Sequence, residues 1–313
     1  MKCLPILRLM RLPTVFTALS NILCGYFVSR GVRVSDLTQS SELPLLLSAS
    51  AGLYLGGMVL NDVCDSAIDS VERPERVIPS GQVSRTAALC LAITLMSLGI
   101  LAAFAAGTPS FLISLILSVL IVAYNITLKH TAAGGIAMGG CRFFNLMLGA
   151  SAAPHLAEVF GLPQLGVAFA LFVYITGVTL FARHEAGEPG DAAGGVRLSS
   201  EKSRLLRTGV CVVLAGLLID GVVGWYSEFP ERPRIAMWLS LGIIGGNILV
   251  RTEQAIRNGI PRVLQKTVGL MLLNVIFLDA AMVFGSTGDS RLASIVVMLV
   301  VPAMLLKRLI PMS

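Results

Sequence analysis

Charged residues are scarce in this sequence, and their scarcity limits the class of protein it can be. Only 13% of the 313 residues are charged, whereas 55% are hydrophobic. Soluble domains carry about 25% charged residues. No soluble core of this length needs so much apolar sequence, so a soluble protein is excluded and an integral membrane protein is predicted.

Patterns that bind metal through sulfur or form disulfides are also missing. The three histidines are scattered, and none of the six cysteines belongs to a CxxC pair: Cys3, Cys24, Cys64, Cys90, Cys141 and Cys211. This excludes a visible zinc or disulfide framework and favours the cysteines as small apolar core residues. The net charge of +6 does not indicate a nucleic-acid partner, because the basic residues form no patch or stripe.

The sequence instead contains ten apolar runs, each long enough to cross a hydrocarbon core of about 30 Å. They cover residues 12–29, 43–63, 86–106, 109–127, 134–154, 163–182, 205–224, 234–250, 263–285 and 291–309. We predict an all-α fold, a polytopic membrane helical bundle of nine or ten transmembrane helices, in one integral membrane domain over residues 1–313. One of the last two runs could instead be re-entrant or interfacial.

The distribution of lysine and arginine predicts the orientation of the bundle. With the N-terminus in the cytoplasm, 18 of the 24 basic residues lie in cytoplasmic segments and five on the other side, with Arg142 inside a run. Basic residues are enriched in cytoplasmic loops. We therefore expect the three segments rich in polar residues, 64–85, 128–133 and 183–204, to face the cytoplasm.

The densest polar stretch is NDVCDSAIDSVERPERVIPSG, residues 61–81. Spacings of three and four residues place Asp62, Asp65 and Asp69 on one helix face, beside Asn61. Two interpretations are open: a solvated helix end whose carboxylates pair with neighbouring arginines, or a cation site. Mg²⁺ is usually held by one or two carboxylates together with substrate phosphates. The spacing therefore favours a Mg²⁺–diphosphate site at a membrane interface, where three residues of the following loop could meet phosphate oxygens: Arg73, Arg76 and Ser80.

This stretch resembles the first signature of the UbiA superfamily of intramembrane aromatic prenyltransferases. That signature is an NDxxDxxxD helix followed by an RP-hydrophobic-PSG loop, and here Val77 stands where the family usually has proline. The loop and the tail from Arg251 onward are similar to the EboC-like branch. Family members usually have nine membrane helices, so a tenth would be a C-terminal addition.

The resemblance implies a Mg²⁺-dependent transfer of a prenyl group from a polyprenyl diphosphate to an acceptor within the membrane. The acceptor would be a small hydrophobic molecule, an aromatic or an alcohol. Diphosphate leaves only when its growing charge is neutralised by metal and by basic side chains. The implied metal ligands are Asn61, Asp62, Asp65 and Asp69. An apolar tunnel between helices would hold the isoprenoid tail and exclude water.

Two further segments resemble functional parts of the family. Tyr124 and Lys129, in YNITLK after the fourth run, resemble a Tyr and a Lys that flank the diphosphate; they could instead be interfacial anchors. The family's second acidic motif, DxxxD, is absent after the sixth run. Glu185 is the best substitute ligand there, and Arg183 could bind phosphate. A solvated acidic loop is the alternative.

Several polar residues lie inside the apolar runs. We expect Arg142 to face the bundle interior, either paired with an acid or facing the diphosphate. Asn21 and Asn145 are candidate acceptor-side or cavity residues. For Asn21 a helix–helix hydrogen bond would explain the residue as well. Asp279 has no assigned role.

Other functions are compatible with parts of the sequence. The reduced second acidic motif leaves open a non-catalytic protein that binds or transports prenyl lipids. Terpene cyclisation, which uses similar acidic chemistry without an acceptor, also stays open. A CDP-alcohol phosphotransferase is disfavoured, because residues 61–81 lack the Asp-Gly and Ala-Arg pairs that its motif needs.

Overall fold

The computed structural model describes residues 3–31, 34–37, 40–153, 155–183, 199–227 and 229–310. Within these ranges the chain forms α-helices joined by short turns and contains no strand. The helices are α1 (Cys3–Leu9), α2 (Phe16–Arg30), α3 (Glu42–Glu72), α4 (Arg85–Ala106), α5 (Thr108–Ile126), α6 (Gly134–Ala150), α7 (Leu156–Val159), α8 (Gln164–Arg183), α9 (Ser200–Tyr226), α10 (Glu231–Asn258), α11 (Pro261–Thr287), α12 (Ser290–Met298) and α13 (Val300–Leu309).

The all-α membrane bundle is confirmed, and each of the ten apolar runs is helical. In the described part of the chain, nine helical segments are long and apolar enough to cross a membrane. The remaining run, residues 134–154, forms α6, which has 17 residues and packs against α2, α5 and α8. The last run divides into α12 and α13 at Leu299. Pro302 explains the break, because its ring clashes with the carbonyl of Met298, four residues earlier.

Two of the predicted loop segments are partly helical. Residues 64–72 continue α3 to Glu72, so the loop that follows covers residues 73–84. Residues 64–73 contain no proline or glycine, and the residue before Pro74 is disfavoured in the α conformation. Likewise α9 begins at Ser200, where the Ser199 hydroxyl accepts a hydrogen bond from the backbone N–H of Lys202.

Close contacts at glycines bring the central helices together. A Cβ added to Gly149 on α6 would overlap the backbone of Ile22 on α2. A Cβ on Gly52 of α3 would lie 2.7 Å from the carbonyl oxygen of Leu95 on α4. Only glycine permits these approaches, which fix the positions of the polar residues on α2, α3 and α6.

Candidate functional site

The last turns of α3 present the acidic motif, and each of its three carboxylates is paired with a basic side chain. Arg76 donates to Asp69 Oδ2 at 2.7 Å, and Arg76 Nη1 also lies 3.8 Å from Asp62 Oδ1. Arg11 donates to Asp62 Oδ1 at 3.0 Å, and Lys129 pairs with Asp65. The helical spacing predicted from the sequence therefore places the three acids on one face.

The loop after α3 positions Arg76. Backbone hydrogen bonds from Arg76 N to Arg73 O and from Ser80 N to Arg76 O fold it into successive tight turns. Val77 is buried in a cluster with Leu9 and Val63. Val77, at the position where related loops have proline, thus anchors the loop on α3 by apolar packing.

Lys129 is positioned from the opposite side by the ends of α5, α6 and α8. Arg183, the last residue of α8, donates to the carbonyl oxygen of Lys129 at 2.7 Å and to that of Thr131. A Cβ on Gly134, the first residue of α6, would overlap the Arg183 guanidinium. The ends of α3, α5 and α8 consequently meet on one side of the bundle, as the sequence predicted.

The donor set suits a hard divalent cation. Asn61 Nδ2 donates to Asp65 Oδ2 at 3.1 Å, so the Asn61 amide oxygen and the carboxylates of Asp62, Asp65 and Asp69 supply oxygen donors only. Mg²⁺ prefers such oxygen ligands. Among the described residues, no group of three or more Asp, Glu, His or Cys side chains could hold a metal alone.

The structure does not bring every candidate residue to the carboxylates. Arg73 and Ser80 are exposed, and Ser80 bonds within its own loop, to Val77 O and Gln82. Tyr124 is half-buried at the end of α5, and its phenol forms no hydrogen bond within the described ranges. Glu185 lies outside the described residues, so its role as a substitute ligand stays a prediction.

Sequence reasoning missed Arg11, which counted there only as one cytoplasmic charge. It lies in the turn between α1 and α2 and has a backbone φ of 46°, the left-handed region that L-residues rarely adopt. Such outliers cluster at functional sites. The proline at position 13 marked a turn in the sequence, but the partner of Arg11 is 51 residues away and no local pattern could reveal it.

A second polar group lies inside the bundle. Arg142 donates to Asn21 Oδ1 at 3.2 Å and to Thr17 at 3.0 Å, and Asn21 donates to Asp279 Oδ2 at 2.8 Å. The partners of Arg142 are thus neutral side chains rather than an acid. The position of the Asp279 carboxylate shows that α11 contributes to this group, which the sequence alone did not suggest.

Asn145 forms helix–helix hydrogen bonds. It accepts from Ser50 at 2.7 Å and donates to the carbonyl oxygen of Ala18 at 2.8 Å, which links α6 to α3 and α2. Both of its side-chain polar atoms are therefore occupied by protein groups. A structural role explains its contacts in full.

The model of the UbiA prenyltransferase family matches residues 18–251. The chain belongs to this family. As a UbiA-family member it is an integral, multi-pass membrane protein.

Digeranylgeranylglyceryl phosphate synthases are similar to this UbiA-family chain. The Metallosphaera sedula enzyme is 34% identical over 131 residues, 42% of this chain and 45% of that protein. The Methanoculleus marisnigri enzyme is 30% identical over 207 residues, 65% of this chain and 70% of that protein. The chain therefore spans less than half the length of the first of these relatives.

Solved structures share the fold. A digeranylgeranylglyceryl phosphate synthase structure has a TM-score of 0.64 at 16% identity, covering 91% of this chain and 98% of that one. A UbiA homologue from Archaeoglobus fulgidus, bound to GPP and Mg²⁺, has a TM-score of 0.58 at 14% identity, covering 89% and 99%. At these identities the likeness concerns the fold alone. Placement in the EboC-like branch stays a prediction.

Proposed function

We propose that this chain transfers a prenyl group from a prenyl diphosphate to an acceptor within the membrane, in a Mg²⁺-dependent reaction. The observation that supports this most directly is the cluster of three carboxylates, each held by a basic side chain, on the family's acidic helix. Such a cluster can bind a metal diphosphate when its ion pairs open. The carboxylates would then hold the metal, and the basic side chains would bind the phosphate oxygens. Such a cluster at the membrane edge also explains why costly charges are kept there.

The site residues form two groups, those that would hold the metal and those that would bind the phosphates. Asn61, Asp62, Asp65 and Asp69 would hold Mg²⁺, which supplies charge neutralisation for the departing diphosphate when bound. The basic side chains now on the carboxylates would donate to phosphate oxygens instead: Arg11, Arg76 and Lys129. The neighbouring Arg73 and Ser80 are further candidates for diphosphate binding, as are Arg183 and the half-buried Tyr124.

The apolar interior of the bundle would protect the reaction. Cleavage of the allylic C–O bond leaves a carbocation that water would capture. The helices that pack around the buried group of Arg142, Asn21 and Asp279 would exclude water from the path of the prenyl chain. The names of the similar synthases favour an alcohol acceptor that carries a glyceryl phosphate over a phenolic one.

The experiment combines a variant with metal removal. Asp65→Ala, assayed in proteoliposomes with geranylgeranyl diphosphate and a prenylglyceryl phosphate, should abolish both prenyl transfer and diphosphate release. EDTA should do the same to the unaltered protein, and added Mg²⁺ should restore it. The matched control is Glu72→Gln, an exposed residue at the end of the same helix that should leave activity unchanged.

Two outcomes would overturn the proposal. Full transfer by Asp65→Ala, or in EDTA, would exclude the metal–carboxylate site. Metal-dependent binding of the donor without diphosphate release, for every acceptor class tested, would instead identify a non-catalytic prenyl-lipid protein.

A further inference from the structure

Arg142 is a buried cation that forms no ion pair with any acidic side chain in the described part of the chain. It is 8% exposed, on α6, in the interior of the membrane bundle. Its guanidinium lies 5.2 Å from the centre of the Tyr54 ring, and its hydrogen bonds go to Asn21 and Thr17. A charge in the membrane interior is costly, and such residues usually pair with an opposite charge or mark a binding site.

Its countercharge is one side chain away. The Asn21 amide accepts from Arg142 at 3.2 Å and donates to Asp279 at 2.8 Å, so it bridges the cation and the anion. Ser20 donates to the same carboxylate oxygen at 2.6 Å. Asp279 is 3% exposed and lies on α11, beyond the segment that the family model matches.

The Asn21 bridge to Asp279 holds Arg142 without using all of its hydrogen-bond donors. A guanidinium has five N–H donors in a planar fork, and the described contacts of Arg142 use both terminal nitrogens for one hydrogen bond each. A direct Asp279–Arg142 ion pair would have occupied the fork and neutralised the charge locally. With the amide in between, the guanidinium keeps donors and positive charge for a ligand.

The depth of Arg142 separates it from the diphosphate site. Tyr54, which it contacts, precedes Asn61 by seven residues on α3. Seven residues of helix correspond to two turns on the same face and to about 10 Å along the axis. Within the described residues Arg142 forms no ion pair with the acids of the motif. An anion bound there would therefore be a second one, held deeper than the diphosphate.

We infer that Arg142, with Tyr54 beside it, binds the anionic group of the acceptor, a phosphate or a carboxylate, and that Asp279 is a positioning residue acting through Asn21. The inference rests on the proposed function. It assigns the two substrates to two anion sites on one face of α3, one at the membrane edge and one farther inside. The acceptor's nucleophile would then point from the deeper site towards the allylic carbon of the donor.

The test separates acceptor binding from donor binding. The probes are a prenylglyceryl phosphate, the uncharged prenylglycerol and a phenolic acid, each titrated against the protein in nanodiscs and assayed for transfer. Arg142→Gln should weaken binding of the charged probe at least tenfold and raise its KM equally, with the KM of the donor unchanged. Binding of the uncharged prenylglycerol should be the same in the variant and the unaltered protein.

Further variants separate a positioning role from a merely structural one. Asp279→Asn should raise the KM of the charged acceptor several-fold with little change in kcat, and Asp279→Glu should restore part of it. Arg142→Lys keeps the charge and should retain more affinity than Arg142→Gln, which tests the site even if the glutamine variant folds poorly. The comparison of phosphate with carboxylate probes identifies which anion the site takes.

The inference is overturned by an unchanged acceptor affinity in Arg142→Gln, or by equal losses for charged and uncharged probes. Because probe binding is measured directly, it does not depend on turnover. A protein that binds the charged probe through Arg142 but never transfers a prenyl group would contradict the proposed function and leave the anion site standing.

Discussion

Arg11 is the residue whose role depends most on the folded structure. It lies seven residues before the family-matched segment, yet it holds Asp62, the first carboxylate of the acidic motif. Its left-handed backbone conformation costs on the order of 1–3 kcal/mol for a residue of this type. The surrounding packing compensates for that cost, since Leu9 and Pro13 on either side are both buried.

We predict that Arg11→Gln weakens donor binding. The variant loses a charge-assisted hydrogen bond, which contributes about 1.5–3 kcal/mol, so the KM of the prenyl diphosphate should rise by roughly ten- to a hundred-fold. Steady-state kinetics with varied donor measure the effect, and Arg11→Lys should recover part of it. An unchanged donor KM would show that Arg11 only holds Asp62.

For the three carboxylates, the sequence predicts their common helix face but not their ion-pair partners. Their common face follows from spacings of three and four residues, which any helix imposes. Their partners do not follow, because Arg11 and Lys129 lie 51 and 64 residues away in sequence. Only the packing of α3 against other elements decides which base meets which acid.

At the scale of elements, the helix ends carry the chemistry. Hydropathy located all ten runs, because burial in lipid requires about 20 apolar residues for each crossing. It did not locate the polar ends of α3 and α9, which extend beyond the apolar part and are set by Pro74 and by the Ser199 cap. The break at Leu299 likewise depends on Pro302, which hydropathy counts as part of a single apolar run.

We predict that Gly134→Ala disturbs the site through the end of α8. Its Cβ would overlap the Arg183 guanidinium and lie 2.8 Å from the Leu128 carbonyl oxygen. Arg183 would then lose its bonds to the loop that carries Lys129, and kcat/KM should fall about tenfold or more, as small misplacements of binding groups do. Proteoliposome assays measure the loss.

The adjacent glycine provides the control for this prediction. A Cβ on Gly135 would meet its nearest atom, Thr176 O, at 3.5 Å, an ordinary contact. Gly135→Ala should therefore keep full activity. Equal activity of the two alanine variants would mean that the Arg183 contacts do not matter for Lys129.

At the scale of the whole molecule, the last described helix packs beside a turn that reaches the acidic motif. α13 packs against the turn at residues 12–14, next to Arg11. Neither α13 nor this turn lies in the family-matched segment. α13 thus supports the N-terminal turn that contributes a base to the site.

The charge distribution predicts which side of the membrane carries this site. A version of the protein with its six cysteines replaced by serine or alanine would receive one cysteine at a time: Glu75→Cys in the exposed loop after α3, or Ser41→Cys at the opposite end of that helix. In sealed inside-out vesicles, a membrane-impermeant maleimide should label Glu75→Cys and spare Ser41→Cys, and right-side-out vesicles should give the reverse. The opposite pattern would place the acidic motif outside the cell, where soluble prenyl diphosphates from the cytoplasm could not reach it.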